Sequence, residues 1–176
     1  MKKNDSGITL LVLVITIVVL TIIASIAVYE GKELIEKSKV QTLETNMLTI
    51  QAKAKAYAEE IETKIWTEND ENQKSNERDR LFREKKSFSN PVSISDANKL
   101  SQISEEVKGE NGDEYIAYEV TGNALVNMGL SDIKEEKYIV IFNKDLKKID
   151  VLYEDGIRYN KKALYTLSEI QKELTN

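Results

Sequence analysis

The sequence predicts an α+β chain: a long N-terminal helix with a membrane half and an amphipathic half, packed on a small antiparallel β-meander. Three observations carry this expectation. Residues 8–28 contain fifteen Ile, Leu or Val and no charged residue. Val40, Leu43, Met47, Ile50, Ala54, Tyr57 and Ile61 follow one another at alternating spacings of three and four. The last third consists of short apolar runs separated by Gly, Asn and Asp. The expected organisation is a long helix over 8–63, with 8–28 crossing the membrane, then a variable loop and helix segment over 64–113. A sheet with a short C-terminal helix follows over 114–176.

The apolar run comes first. At a rise of about 1.5 Å per residue, Ile8 to Val28 would extend roughly 31 Å, matching a hydrocarbon core of about 30 Å. Its large aliphatics favour insertion by roughly 6 kcal/mol. Thr9, Thr16, Thr21 and Ser25 interrupt the run with hydroxyls that can bond back to the preceding helical turn. Lys2 and Lys3 precede the run and Glu30, Lys32, Glu33 and Glu36 follow it. The positive-inside rule then places the start in the cytoplasm and the bulk of the chain outside.

Beyond the run, the stripe from Val40 to Ile61 alternates with Lys39, Glu44, Asn46, Gln51, Lys53, Lys55, Glu59 and Glu60, so one helix face is apolar and the other wet. Gly and Pro are absent from Lys32 to Ile65. Gly31 stands at the joint between the two halves and costs about 1 kcal/mol relative to Ala, which makes it the weakest point of the helix. The stripe offers about three heptads for a coiled coil. Ala54 and Tyr57 suit a helix lying across strands better than a dimer seam.

Thr67 to Arg80 contains no aliphatic or aromatic side chain, which predicts an exposed loop. Ser87 to Pro91 reads as a turn. Ile94, Ala97, Leu100, Ile103 and Val107 suggest one short amphipathic helix ended by Gly109. Glu110 to Asp113 then turns the chain into a strand over Tyr115–Val120, closed by Thr121-Gly122-Asn123. Ala124 to Met128 reads as a helical turn ended by Gly129, and Tyr138 to Phe142 as a central strand. Asn143 to Lys148 has hairpin chemistry. Ile149, Val151 and Tyr153 alternate with Asp150 and Glu154, as expected for a strand with one wet face. Glu154-Asp155-Gly156 reads as a turn before an edge strand at Ile157–Tyr159. Thr166-Leu167-Ser168-Glu169 is a capping box opening a last helix. The result is a three- or four-stranded meander, too small to stand without the long helix.

Composition narrows the chemistry. The 176 residues carry a net charge of -5 and contain no Cys and no His. Disulfides, thiol catalysis and Cys- or His-based metal sites are excluded, and no spacing of Ser, Lys or acid residues singles out a catalytic pair. No catalytic residue, cofactor or resident metal is expected. Glu68, Asp70, Glu71, Asp113 and Glu114 are acidic enough to attract calcium but lack EF-hand spacing, and read as solvated loops. Arg78, Arg80, Arg83, Lys85 and Lys86 form the one basic cluster near aromatics, Phe82 and Phe88. Glu77, Asp79 and Glu84 dilute it, so a mixed-charge face is favoured over a nucleic-acid partner. Six of the eight Tyr lie between Tyr115 and Tyr165, where strand propensity accounts for them.

Three readings of the N-terminal segment stay open: a secretory signal cut near Ser25-Ile26-Ala27, a plain uncleaved anchor, and a processed assembly helix. The third rests on Ser6-Gly7-Ile8-Thr9-Leu10, where a short polar leader ends in Gly and the apolar helix begins at once. This junction resembles the class III leader of type IV pilins and type II secretion pseudopilins. The resemblance covers roughly residues 1–30 and implies a pilin-like fold. It also implies a leader over 1–7, cleavage between Gly7 and Ile8 by a prepilin peptidase, and N-methylation of Ile8. Thr9, Leu10, Leu11 and Val12 would open the assembly helix, and Gly31, in a region that can loosen when pilins pack, would be its candidate hinge. The family usually has glutamate at the fifth position after the cut, where this chain has Val12. That departure is compatible with a tip subunit, another way of neutralising the terminus, or a chain that does not polymerise. The implied partners are the peptidase, other pilin or pseudopilin subunits, an inner-membrane assembly platform, and membrane lipid before assembly. The implied location is the cytoplasmic membrane, as a single-pass protein with a cytoplasmic N-terminus, and afterwards a filament at the cell surface.

Overall fold

The computed structural model describes residues 5–65, 70–85, 87–88, 91–109, 115–120, 122–133 and 136–175, with the side chains of 5–12 and 26–31 outside the described set. The chain divides into two units, Met1–Lys39 and Val40–Asn176. Helix α1 runs over Asp5–Ile65. In the first unit the described apolar stretch is residues 13–25.

The second unit is built on an antiparallel sheet of β1 (Tyr115–Val120), β2 (Tyr138–Asn143), β3 (Ile149–Tyr159) and β4 (Lys162–Thr166), in that spatial order. Side chains alternate across it. On the inner face Tyr118, Val120, Tyr138, Val140, Phe142, Val151 and Leu164 pack with Val40, Leu43, Met47, Ile50, Ala54, Ala58 and Ile61 of α1. The stripe read from the sequence is therefore the seam, except that Ala58 is buried and Tyr57 only half-buried. Gln51 Nε2 fixes the register by donating to Ile149 O at 2.7 Å. On the outer face Ala117, Ile141 and Leu152 pack with Ile94, Ile103 and Val107. The sheet is thus covered on both sides, by α1 and by residues 91–109. The remaining helices are α2 (Glu71–Glu84), α3 (Ala97–Gln102), α4 (Glu105–Lys108), α5 (Asn123–Asn127) and α6 (Leu167–Thr175).

Several expectations are corrected. The chain is α+β with a four-stranded antiparallel sheet, but the pilin-like fold with a membrane half is not found: among the described residues, no helix is long and apolar enough to cross a membrane. Of the span expected over 8–28, the side chains are described over 13–25, and those of 8–12 and 26–28 lie outside the described residues.

The expected loop over Thr67–Arg80 is, from Glu71 onward, helix α2; positions 67–69 lie outside the described residues. Glu, Gln, Lys and Arg are good helix formers even without an apolar stripe. Asp70 caps the start, accepting from the Asn72 and Gln73 N–H groups at 2.8 and 3.2 Å. Arg80 pairs with both Glu77 and Glu84 along the exposed side. Leu81 and Phe82, at the far end, are buried and dock the helix.

The single helix expected across Ile94 to Val107 begins only at Ala97 and is two, because Ile103 adopts extended geometry (φ -67°, ψ 132°) and Ser104 restarts the chain as the cap of α4. The expected turn at Glu154–Gly156 is a bulge inside β3, where the register with β4 shifts between Leu152 and Ile157. Gly156 has φ +67°, and a Cβ there would lie 2.5 Å from the Tyr165 ring, so the bulge needs glycine. Ile157–Tyr159 is therefore the end of β3, and the edge strand is β4. Asn160 and Lys161, with φ of 47° and 64°, make the tight hairpin between them. The wet face expected for β3 is also absent: Asp150 is fully buried.

Candidate functional site

The first unit offers one distinctive surface. Over 13–25 the helix presents Leu13, Val14, Ile15, Ile17, Val18, Val19, Leu20, Ile22 and Ile23, each 46–62% exposed. Successive residues are separated by about 100° around the axis, so these side chains cover every side of the rod. The hydroxyls do not break that surface. Thr21 Oγ1 donates to Ile17 O and Ser25 Oγ to Thr21 O, both at 2.7 Å, which satisfies them within the helix. A helix that is apolar all round and exposed needs an apolar surrounding. Gly7, Ile8, Thr9, Leu10, Leu11 and Val12, the positions of the expected cut, methylation and assembly start, fall within α1, as does the expected hinge Gly31. Their side chains lie outside the described residues.

In the second unit the groups singled out for chemistry are held in structural contacts. Asp70 is the cap of α2, and Glu71 pairs with Lys74 at 3.1 Å. Glu68, Asp113 and Glu114 lie outside the described residues. Among the described residues no cluster of three acids could hold a metal ion. The basic cluster does not present aromatics: Phe82 and Phe88 are core residues. Arg78 contacts Asp79 at 3.4 Å, Arg80 is paired as above, and Lys85 donates to Glu60. Lys85 and then Lys64 hold the Glu60 carboxyl down at about 2. Lys86 lies outside the described residues.

Two buried hydroxyls bind acids. Tyr118 OH donates to Asp79 Oδ1 at 2.6 Å, tying β1 to α2, and Tyr138 OH donates to Glu136. Burial, and then the neighbouring carboxylate, pushes both phenols well above their ordinary range, so neither serves as a base near neutral pH.

Asp150, which the alternation pattern assigned to solvent, is the most heavily bonded acid described. Its Oδ1 accepts from Val151 N–H at 2.9 Å and Ser168 N–H at 3.2 Å, and its Oδ2 from Ser168 Oγ at 2.8 Å. The Ser104 backbone N–H also bonds to it. One carboxylate thus joins β3 to the starts of α4 and α6. Burial raises its pKa despite these donors. A raised native pKa means the folded state holds the proton more tightly, so ionisation weakens folding as pH rises from the unfolded value near 3.9 through the native one. Denaturant titrations at a series of pH values should show wild type losing stability relative to Asp150→Asn across that window. A difference that stays flat from pH 3 to 8 contradicts the buried-carboxylate account. The sequence did carry a signal for this site: Val151-Leu152-Tyr153 is apolar at three consecutive positions, which alternation with one wet face does not allow.

A hollow of about 430 Å³ lies along the side of β4 away from β3, lined by residues of α3, β4 and Glu169. Gln102, which no sequence motif singled out, sits in it and bonds to the strand. Lys162 at its rim pairs with Glu173 at 2.6 Å.

No family model, curated protein or solved structure matches the chain.

Proposed function

We propose that this chain is a structural subunit of a type IV pilus or of a type II secretion-like pseudopilus, assembled through its hydrophobic N-terminal segment. In this reading a prepilin peptidase removes Met1 to Gly7 and Ile8 is N-methylated. The chain is held at the cytoplasmic membrane until an assembly platform adds it to other subunits at the cell surface. The observation that carries the reading is the pairing of the Gly7–Ile8 junction with a helix exposing aliphatic side chains on all sides from Leu13 to Ile23. Such a surface is stable only against lipid or against other apolar helices. Packing copies side by side removes it from water without any further partner. The charged groups of unit 2 named above, Asp70, Glu71, Arg78, Arg80 and Lys85, are engaged in caps and ion pairs, which supports a structural role.

Val12 favours one refinement, a minor or tip subunit. The family's glutamate at that position neutralises a neighbour's terminal ammonium, and a subunit without a following neighbour has less need of it.

The chain lacks Cys, so Leu20→Cys gives a clean readout of packing. In cells carrying the assembly apparatus, mild oxidation should link the variant to a subunit bearing a matching cysteine. Linkage to no other subunit, with the protein present at normal levels, contradicts assembly through this segment.

A further inference from the structure

A four-stranded open sheet has two edges, each a row of N–H and C=O groups able to recruit another strand. Here both edges are occupied, and by the same piece of chain. At β1, Pro91 bridges to Tyr118 and Val92 N–H donates to Ala117 O at 2.8 Å; Pro91 itself offers no N–H to continue a ladder. The segment then crosses the outer face, burying Ile94, Ile103 and Val107 on Ala117, Ile141 and Leu152. It reaches β4 at Gln102. The Gln102 Nε2 donates to Ala163 O at 2.7 Å, and Gln102 Oε1 accepts from Tyr165 N–H at 2.8 Å. These are the C=O of one residue and the N–H of the second residue after it, the pair that a single residue of a parallel neighbouring strand engages. The Gln102 side-chain amide therefore substitutes for a fifth strand. Thr166 Oγ1 donates to Gln102 O at 2.8 Å and fixes the backbone from which that amide projects.

We infer that residues 91–109 are an edge-closing strap, in which Pro91–Val92 shuts β1 and the Gln102 amide shuts β4 against pairing with the sheet of a second copy of this chain. The strap is anchored again just beyond Gln102. Asp150 bonds the Ser104 N–H, and Lys148 Nζ meets Glu106 Oε2 at 2.5 Å. The device matters wherever copies are concentrated, because open edges would join sheets indiscriminately. A second copy is the expected intruder because β4 reads Lys162-Ala163-Leu164-Tyr165-Thr166. Antiparallel pairing about Leu164 would set Lys162 against Thr166, with no like charges opposed. The inference rests on unit 2 alone and stands or falls apart from the filament reading.

The test uses the full chain in detergent micelles. Hydrogen exchange followed by mass spectrometry should find the Tyr165 amide protected in wild type and exchanging at least 10-fold faster in Gln102→Ala. A single cysteine, Ala163→Cys, reports edge pairing separately from any association through residues 13–25. Pairing about Leu164 sets the Cα atoms of position 163 in the two copies about 8 Å apart, beyond disulfide reach. A short bismaleimide should therefore give covalent dimers when the cysteine is combined with Gln102→Ala, and several-fold fewer when Gln102 is intact. Gln102→Glu, nearly isosteric, keeps the acceptor for Tyr165 N–H but loses the donor to Ala163 O. It should fall between the two and serves if the alanine variant does not fold. Unchanged Tyr165 exchange in both variants, or equal cross-linking with and without Gln102, overturns the strap.

Discussion

Phe82→Ala should lower the stability of the second unit by about 4 kcal/mol, within the range for emptying a fully buried aromatic site. Phe82 is 0% exposed, and its ring lies 4.7 Å from Tyr118, 5.1 Å from Phe142 and 5.2 Å from Phe88, centroid to centroid. Truncation removes buried area, leaves a void between α2 and the sheet, and breaks tilted and edge-to-face pairs that each contribute about 0.5–1.5 kcal/mol beyond area. Because α2 carries few other buried residues, the void cannot be closed by a neighbour from the same helix. The thermal midpoint should fall by roughly 10 °C. Arg80→Ala, which cuts exposed ion pairs on the same helix, should cost no more than about 1 kcal/mol. A loss below 1 kcal/mol for Phe82→Ala, measured by denaturant melting, would mean that α2 is not docked.

The second large effect is expected in the first unit. Leu20 is 62% exposed at the middle of the all-apolar stretch. Leu20→Lys puts an ammonium where the proposal requires apolar surroundings, at about 3 kcal/mol per chain on an insertion scale. At 1.4 kcal/mol per factor of ten, that predicts roughly a 100-fold drop in the protein recovered from sheared surface filaments. Leu20→Phe keeps the segment apolar and should assemble. The melting of the second unit should be unchanged by either substitution. Filaments carrying Leu20→Lys at wild-type levels would show that the stretch faces water in the assembly.

The contrast between these two residues shows what the sequence made legible. The α1 seam from Val40 to Ile61 and the central strand β2 could be read directly, because 3.6-residue and continuous apolar patterns reflect burial on one face or on both. The Asn143–Lys148 hairpin and the stop at Gly129 could be read from turn chemistry, and Leu146 and Gly129 indeed adopt positive φ. Helix α2 was hidden because its stability comes from a cap, ion pairs and two residues at one end, none of which produces a stripe. Glu154-Asp155-Gly156 has the composition of a turn, and only the Tyr165 ring packed over Gly156 shows why the chain bulges instead. Asp150 and Gln102 were hidden for a related reason. Their partners are backbone groups and hydroxyls far along the chain, such as Ser168 and Ala163, and a hydrogen bond to a distant main chain leaves no periodic trace. The N-terminal stretch could be read as apolar because its aliphatic residues follow one another almost without interruption, and from Leu13 to Ile23 those side chains are exposed on all sides of the helix.

The most direct test of the assembly proposal is the intact mass of the protein recovered from native cell-surface material. The proposal predicts a chain that has lost Met1 to Gly7, begins with methylated Ile8 and keeps the aliphatic residues from Leu13 to Ile23. A mature chain that begins after Ser25, and so lacks that stretch, would contradict it.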